Sequence, residues 1–255
     1  MRKTSVLLLL LAFAAPMAWA QNLSYKYFLV PIALPVQGIP GANGSVWTSH
    51  FLLRNDASES VSVIGFDIGC GGISLCPPPR PIPPGLTFAP LFIAFPPLYM
   101  TWLGVDERFV EQVSLSLRVQ DVTRQGGHFG TRVPVVPESE FRTTIYLTGV
   151  PTTSAYRSLV RIYGVTGGRF RLRYYAIDST KPYTNPPVGA DRVLGTSDYE
   201  FDENSPPYSF ALAVGVPEFG EPLVAITVEA LDGEKIWAFA SVTHNETQNV
   251  TIVAP

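Results

Sequence analysis

Histidine and cysteine are scarce in this chain, with three of the former and two of the latter in 255 residues, and only 15% of its side chains are charged. The histidines, His50, His128 and His244, form no His-x-His or His-x-x-x-His spacing. No G-x-S-x-G elbow, phosphate-binding glycine loop or H-E-x-x-H pair occurs, so the patterns that announce a nucleophile, a nucleotide or a catalytic metal are missing. Nothing points to an enzyme. Sustained helical periodicity with caps is missing too. After the first twenty residues no apolar run approaches the roughly 20 residues that a membrane-spanning helix needs, which predicts no transmembrane segment.

What is present begins with export. Arg2 and Lys3 precede an apolar run, Val6 to Ala15, and then Ala18-Trp19-Ala20, the charged, apolar and small-x-small regions of a secretory signal peptide. Residues 1–20 are therefore expected to be cleaved off after Ala20, leaving a secreted or periplasmic protein. Losing Arg2 and Lys3 leaves 16 basic against 21 acidic residues, a net charge of −5. That balance argues against nucleic acid, which selects a basic face. The charged fraction falls below the roughly 25% of ordinary soluble domains, so either much of the surface carries neutral polar groups or some of it is buried against a partner, including another copy in an oligomer. Twenty-four prolines and 21 glycines beside 46% hydrophobic residues describe many short strands joined by tight turns.

The chain also repeats itself. VWTSHFLLRNDASESVSVIGF (Val46 to Phe66) and AYRSLVRIYGVTGGRFRLRYY (Ala155 to Tyr175) each open on an aromatic, Trp47 or Tyr156, run as an alternating strand, turn through polar or glycine residues, and resume alternation at Val61 or Phe170. Each pair of strands is expected to form a hairpin, with Trp47, Tyr156 and Trp237 in the core and His50 on the solvent side. Leu86 to Phe95 predicts a further buried strand, and Pro77 to Pro84 a stiff polyproline segment. Val113 to Val119 pairs with Phe129 to Val136. VSLSLRVQD…HFGTRVPVV is echoed by VAITVEALD…IWAFASVTH near the end. The fold predicted is all-β: two tandem antiparallel β-sandwich domains of the immunoglobulin-like kind, residues 21–137 and 138–255, with the crossing near Pro137 to Arg142.

Cys70 and Cys76 stand six positions apart in GCGGISLC. In an exported protein such a pair is more readily a disulfide than a metal site, because two thiolates do not complete zinc's four ligands.

Three motifs stand out: Pro40-Gly41 with Gly44-Ser45, Trp47, Ser49 and Asn55; His128-Phe129-Gly130 through Val133-Pro134; and Trp237-Ala238-Phe239-Ala240-Ser241-Val242 with Asn245 and Thr247. On these motifs, across nearly the whole mature length, the chain resembles a loosely defined group of exported, uncharacterised bacterial proteins with tandem β domains. The resemblance implies fold and export and carries over no catalytic residue. The sequence departs from that group in its cysteine-bracketed, proline-rich loop (Cys70 to Pro84) and in an acidic insertion (Ser197 to Pro207).

Two surfaces qualify as binding sites. In SDYEFDENSPPY the carboxylates of Asp198, Glu200 and Asp202 alternate and would share one side of an extended strand, hard oxygen ligands of the kind calcium takes, although the spacing lacks the glycine and terminal Glu of an EF-hand loop and a solvated acidic loop is the better account. No other cofactor is indicated. Tyr199 and Tyr208 flank that cluster and Tyr183 sits among prolines. With Glu200 they offer flat rings and hydroxyl acceptors of the kind a glycan needs. Trp102, with apolar neighbours, plugs the end of a sandwich instead. The function predicted is that of an exported, non-catalytic interaction or structural protein whose partner is an envelope or extracellular protein or glycan. The alternative is a carbohydrate-binding module.

Overall fold

The structure is a computed structural model and describes residues 24–66, 79–88, 99–124, 130–177, 192–201 and 207–255. The proposed signal peptide, Cys70, Cys76, His128, Tyr183 and Asp202 lie outside them. All long elements are strands, eighteen among the described residues, arranged in four antiparallel sheets.

The first half of the chain holds β1 (Tyr25–Val30), β2 (Ile39–Pro40), β3 (Val46–Asn55), β4 (Val61–Phe66), β5 (Arg80–Ile82), β6 (Thr87–Phe88), β7 (Thr101–Asp106), β8 (Val113–Asp121), β9 (Thr131–Val133) and β10 (Val136–Pro137). Sheet I runs β10-β1-β7-β4-β5 and sheet II runs β2-β3-β8-β9, with β6 also on β3. The second half holds β11 (Thr144–Pro151), β12 (Tyr156–Gly164), β13 (Gly168–Ala176), β14 (Val193–Phe201), β15 (Phe210–Gly215), β16 (Leu223–Ala230), β17 (Ile236–His244) and β18 (Val250–Val253). Sheet III runs β15-β12-β17-β18 and sheet IV runs β11-β16-β13-β14.

The two halves share one pairing scheme. β1, β3, β4, β5, β6, β7, β8 and β9 take the places of β11 to β18 in order, and every pairing in one set recurs in the other. The register agrees residue for residue: Arg54 opposes Ser114 as Tyr163 opposes Trp237, and Ile64 opposes Gly104 as Arg173 opposes Thr227.

The duplication seen in the sequence is real, but its unit is not a hairpin. β3 pairs with β8 in sheet II while β4 pairs with β7 in sheet I, and β12 and β13 part company in the same way. Each predicted hairpin is a corner that carries the chain from one sheet to the facing one. Asn55 fixes the first corner. Fully buried, it donates through Nδ2 to the Glu59 and Ile82 carbonyls (both 2.8 Å) and accepts from the Ala57 N–H (2.8 Å), so a polar side chain does the work of a turn. β16 and β17 likewise lie in different sheets, whereas β8 and β9 do pair, so the echo between those segments is one of pattern only. The strand order also differs from the immunoglobulin one, which sets its first two strands side by side; here β1 and β3 lie in opposite sheets.

Three smaller expectations change. Leu86 is 45% exposed, and of the predicted strand Leu86 to Phe95 only β6 pairs among the described residues. Residues Arg80 to Ile82 form the edge strand β5 on β4 rather than free polyproline, with Pro81 tolerated because an edge needs no second donor. Tyr156 is 39% exposed at the mouth of β12, its ring meeting His244 edge-on, and Trp47 is only partly buried, whereas Trp237 is a core residue as predicted; Trp102, expected to plug the end of a sandwich, lies fully buried on β7.

Each half encloses its own apolar layer. Val61, Val63, Leu103 and Val105 of sheet I face Phe51, Leu53, Leu117 and Val119 of sheet II. Leu147, Phe170, Leu172, Ile226 and Val228 of sheet IV face Val160, Ile162, Ala238, Ala240 and Val242 of sheet III. The side chains between these, pointing the other way on β17 and β12, are Trp237, Phe239 and Tyr163. They belong with the first half's core. Every residue from Ile236 to Val242 is therefore buried, one set on each face of a single strand.

Candidate functional site

The contact between halves is built from aromatic side chains. Trp102 meets Tyr208 edge-on with centroids 5.0 Å apart and Phe141 at 5.4 Å, and Tyr27 meets Tyr208 at 5.7 Å. Tyr163 stacks on Phe239 at 6.1 Å, and its hydroxyl donates 2.8 Å to the Pro31 carbonyl. A buried phenol needs that partner. Burial pushes the Tyr163 phenol up to about 12. Gly104 lies on the same face, and a Cβ there would stand 2.6 Å from Ile64 Cγ1 and 2.9 Å from Tyr27 Cε1. The missing side chain is what lets the Tyr27 ring lie across the strand.

Beside this layer the halves leave an open cleft of about 750 Å³, lined by Tyr25, Lys26, Tyr27, Glu107 and Glu138 from one side and Val165, Thr166, Glu234 and Lys235 from the other, among others. Two of its carboxylates are committed: Glu138 accepts from the Tyr208 hydroxyl (3.3 Å) and Glu234 from the Thr166 hydroxyl. Burial and then the Glu138 carboxylate raise the Tyr208 phenol to about 12, and the same two causes raise Tyr27. Lys26, Lys235 and Glu107 make no ion pair among the described residues. Two tyrosines, two lysines and several acceptors thus line one space between the halves.

Among the described residues, those predicted to bind lie apart from one another. Tyr208 packs its ring against Tyr27 and Trp102, held at φ +64, and so is part of the contact between the halves. Tyr199 lies on the far side of the second half, stacked on Phe170 at 5.7 Å. Glu200 follows it on β14, with its side chain on the exposed face of sheet IV. The acidic stretch is thus a strand through Phe201, not a loop, and its carboxylates face arginines. Both oxygens of Asp198 accept from Arg171 (2.6 and 2.7 Å), Asp232 takes Arg169 (2.7 Å) and Glu229 takes Arg173 (3.0 Å). The hydrogen bond from Arg171 holds the Asp198 carboxyl below its usual range. Calcium at Asp198 would have to displace that guanidinium.

The motif residues turn out to be scaffolding. Ser45 Oγ accepts from Trp47 Nε1 (2.9 Å) and donates to the Ala42 carbonyl (2.8 Å), while a Cβ at Gly41 would stand 2.5 Å from Trp47 Nε1. Asn245 accepts from Arg157 through Oδ1 (2.8 Å) and donates to the Ser154 carbonyl (2.6 Å), which ties the β17–β18 turn to the start of β12. His50 is exposed on β3, and His244 accepts through Nδ1 from the Glu246 and Thr247 N–H groups.

Fold and site together define a chain of four antiparallel sheets with a cleft between two like-built halves. No protein-family model matches this chain, and no curated protein or solved structure matches it either.

Proposed function

We propose that the chain is an exported, non-catalytic interaction or structural protein of the envelope or extracellular space, made of two tandem β-sandwich domains that meet near residues 137 and 138. The aromatic layer carries this reading. It spends the largest side chains of both halves on fixing them to each other, which yields one rigid support for edges and a cleft rather than a site assembled around a reacting group. The export signal and the resemblance to exported tandem-β proteins support the location. Fractionation of the native host tests it: recovery outside the cytoplasm in a species larger than one chain is the expected result. Cytoplasmic retention, or purified protein that turns over a substrate and loses that activity on one side-chain change, overturns it.

The cleft favours a second reading, a glycan-binding module. Tyr25 offers a ring, Lys26 and Lys235 offer donors, and Glu107 is an acceptor for sugar hydroxyls. Lys26→Ala with Glu107→Gln should weaken retention on an insoluble polysaccharide at unchanged thermal stability; equal retention removes the idea. Tyr208→Ala cannot serve as that test, because its ring is packed between the halves.

A further inference from the structure

Edge strands are normally blunted by shortness, proline, bulges or cover, so an edge with none of these stands out. β2, β5 and β10 are two or three residues long and contain Pro40, Pro81 and Pro137, and β6 has two residues. β9 and β18 shield each other, with the Thr131 hydroxyl donating 2.7 Å to the Val250 carbonyl. β11 is bent by a bulge between Thr148 and Val150, where Gly149 has φ +77, and ends at Pro151. β15 is six residues long, with Pro217 two positions beyond it. β14 runs nine residues without proline, is irregular only at its start, and among the described residues has no strand on its outer edge.

We propose that this edge of β14 accepts an extended segment of a partner protein as a fifth strand of sheet IV, and that the segment alternates basic and apolar residues. The inference rests on the reading of the chain as an interaction protein. Main-chain hydrogen bonding supplies the affinity of such strand addition, and alternate side chains supply its specificity. On the exposed face the added strand would lie beside Asp198 and Glu200. Arg169 opposes Glu200 in register yet gives its guanidinium to Asp232, which leaves Glu200 without an ion pair among the described residues. Opposite charges two residues apart on the incoming strand match this row. On the other face the strand would cover Tyr199, which stacks on Phe170 and is only partly buried at the rim of the second core. A second copy of this chain is the poorer occupant, since β14 against β14 would set the Asp198 and Glu200 rows against each other.

The test uses purified protein and two blocked nonapeptides, one alternating lysine with valine and one alternating glutamate with valine. The lysine peptide should bind at least tenfold more tightly at low salt and slow amide exchange from Leu194 to Phe201. Glu200→Lys should remove or invert the preference. Unchanged exchange in β14 on adding the lysine peptide overturns the proposal, as does a preference that survives Glu200→Lys, or concentration-dependent dimerisation that protects β14 in place of the peptide. If exchange is unchanged while the native protein still fractionates in a larger complex, the β14 edge fails and the interaction reading stands.

Discussion

β8 and β17 occupy the same place in the same pairing scheme, yet β8 alternates between buried and open positions while β17 is buried on both faces. The difference lies in three matched positions. Where the first half has Arg54, Ser114 and Ser116 on the outward face of sheet II, the second half has Tyr163, Trp237 and Phe239 on the outward face of sheet III. The other pair of sheets shows the reverse. Leu29, Trp102, Gly104 and Ile64 on sheet I are replaced on sheet IV by Thr148, Ala225, Thr227 and Arg173. One backbone plan thus carries opposite outer faces, and each half turns its apolar one toward the other.

The contact this creates joins unlike faces. A head-to-tail interface that does not close can propagate without limit if both free ends keep the matching surfaces. Here both free ends are polar: sheet II presents Arg54 and Ser114, and sheet IV presents the Arg169, Arg171 and Arg173 ladder with its carboxylate partners. The substitutions that join the halves and those that place charged and hydroxyl side chains on the two outer faces are therefore complementary.

Breaking the contact should show the asymmetry most sharply. Phe239→Ala removes a fully buried ring from a strand packed on both sides and should cost about 3–5 kcal/mol, whereas the matched Ser116→Ala should stay within about 0.5 kcal/mol; urea unfolding of each decides it. Equal effects would mean that the layer contributes nothing beyond ordinary surface. Next in size, Gly104→Ala forces a methyl group against Ile64 and Tyr27 and should destabilise by about 1–3 kcal/mol. Thr227→Ala at the matched place should change little. Tyr163→Phe, which deletes only the bond to the Pro31 carbonyl, should cost about 1 kcal/mol.

Much of this was legible in the sequence, and what was not has a physical cause. Alternation located β8, β12, β13 and β16 because half-buried strands must alternate. Whether a turn closes a hairpin or rounds a corner leaves no trace in periodicity. It depends on partners such as Ile82 of β5, whose carbonyl meets Asn55 from a strand distant in sequence. Asp198 of SDYEF looked like a ligand because its partner Arg171 in GRFRLRYY becomes a neighbour only through the register of β13 with β14. Tyr208 looked like a surface ring for the same reason, since Tyr27 and Trp102 come from the other half.

The smallest effect separates the layer between the halves from the second core by pH. Tyr163 and Tyr208 in the layer, and Tyr174 within the second half, are all raised to about 12, in each case chiefly by burial. An unfolded tyrosine titrates near 10. Folding therefore favours the neutral phenol, so the stability these groups contribute is whole below about pH 10 and is lost as pH rises from there toward 12. The urea midpoint should fall across that window. If the layer is the alkali-sensitive element, Tyr163→Phe and Tyr208→Phe should flatten the fall while Tyr174→Phe leaves most of it. Should Tyr174→Phe flatten it instead, the contact between halves tolerates ionisation better than the core behind it, and the layer would be the looser of the two.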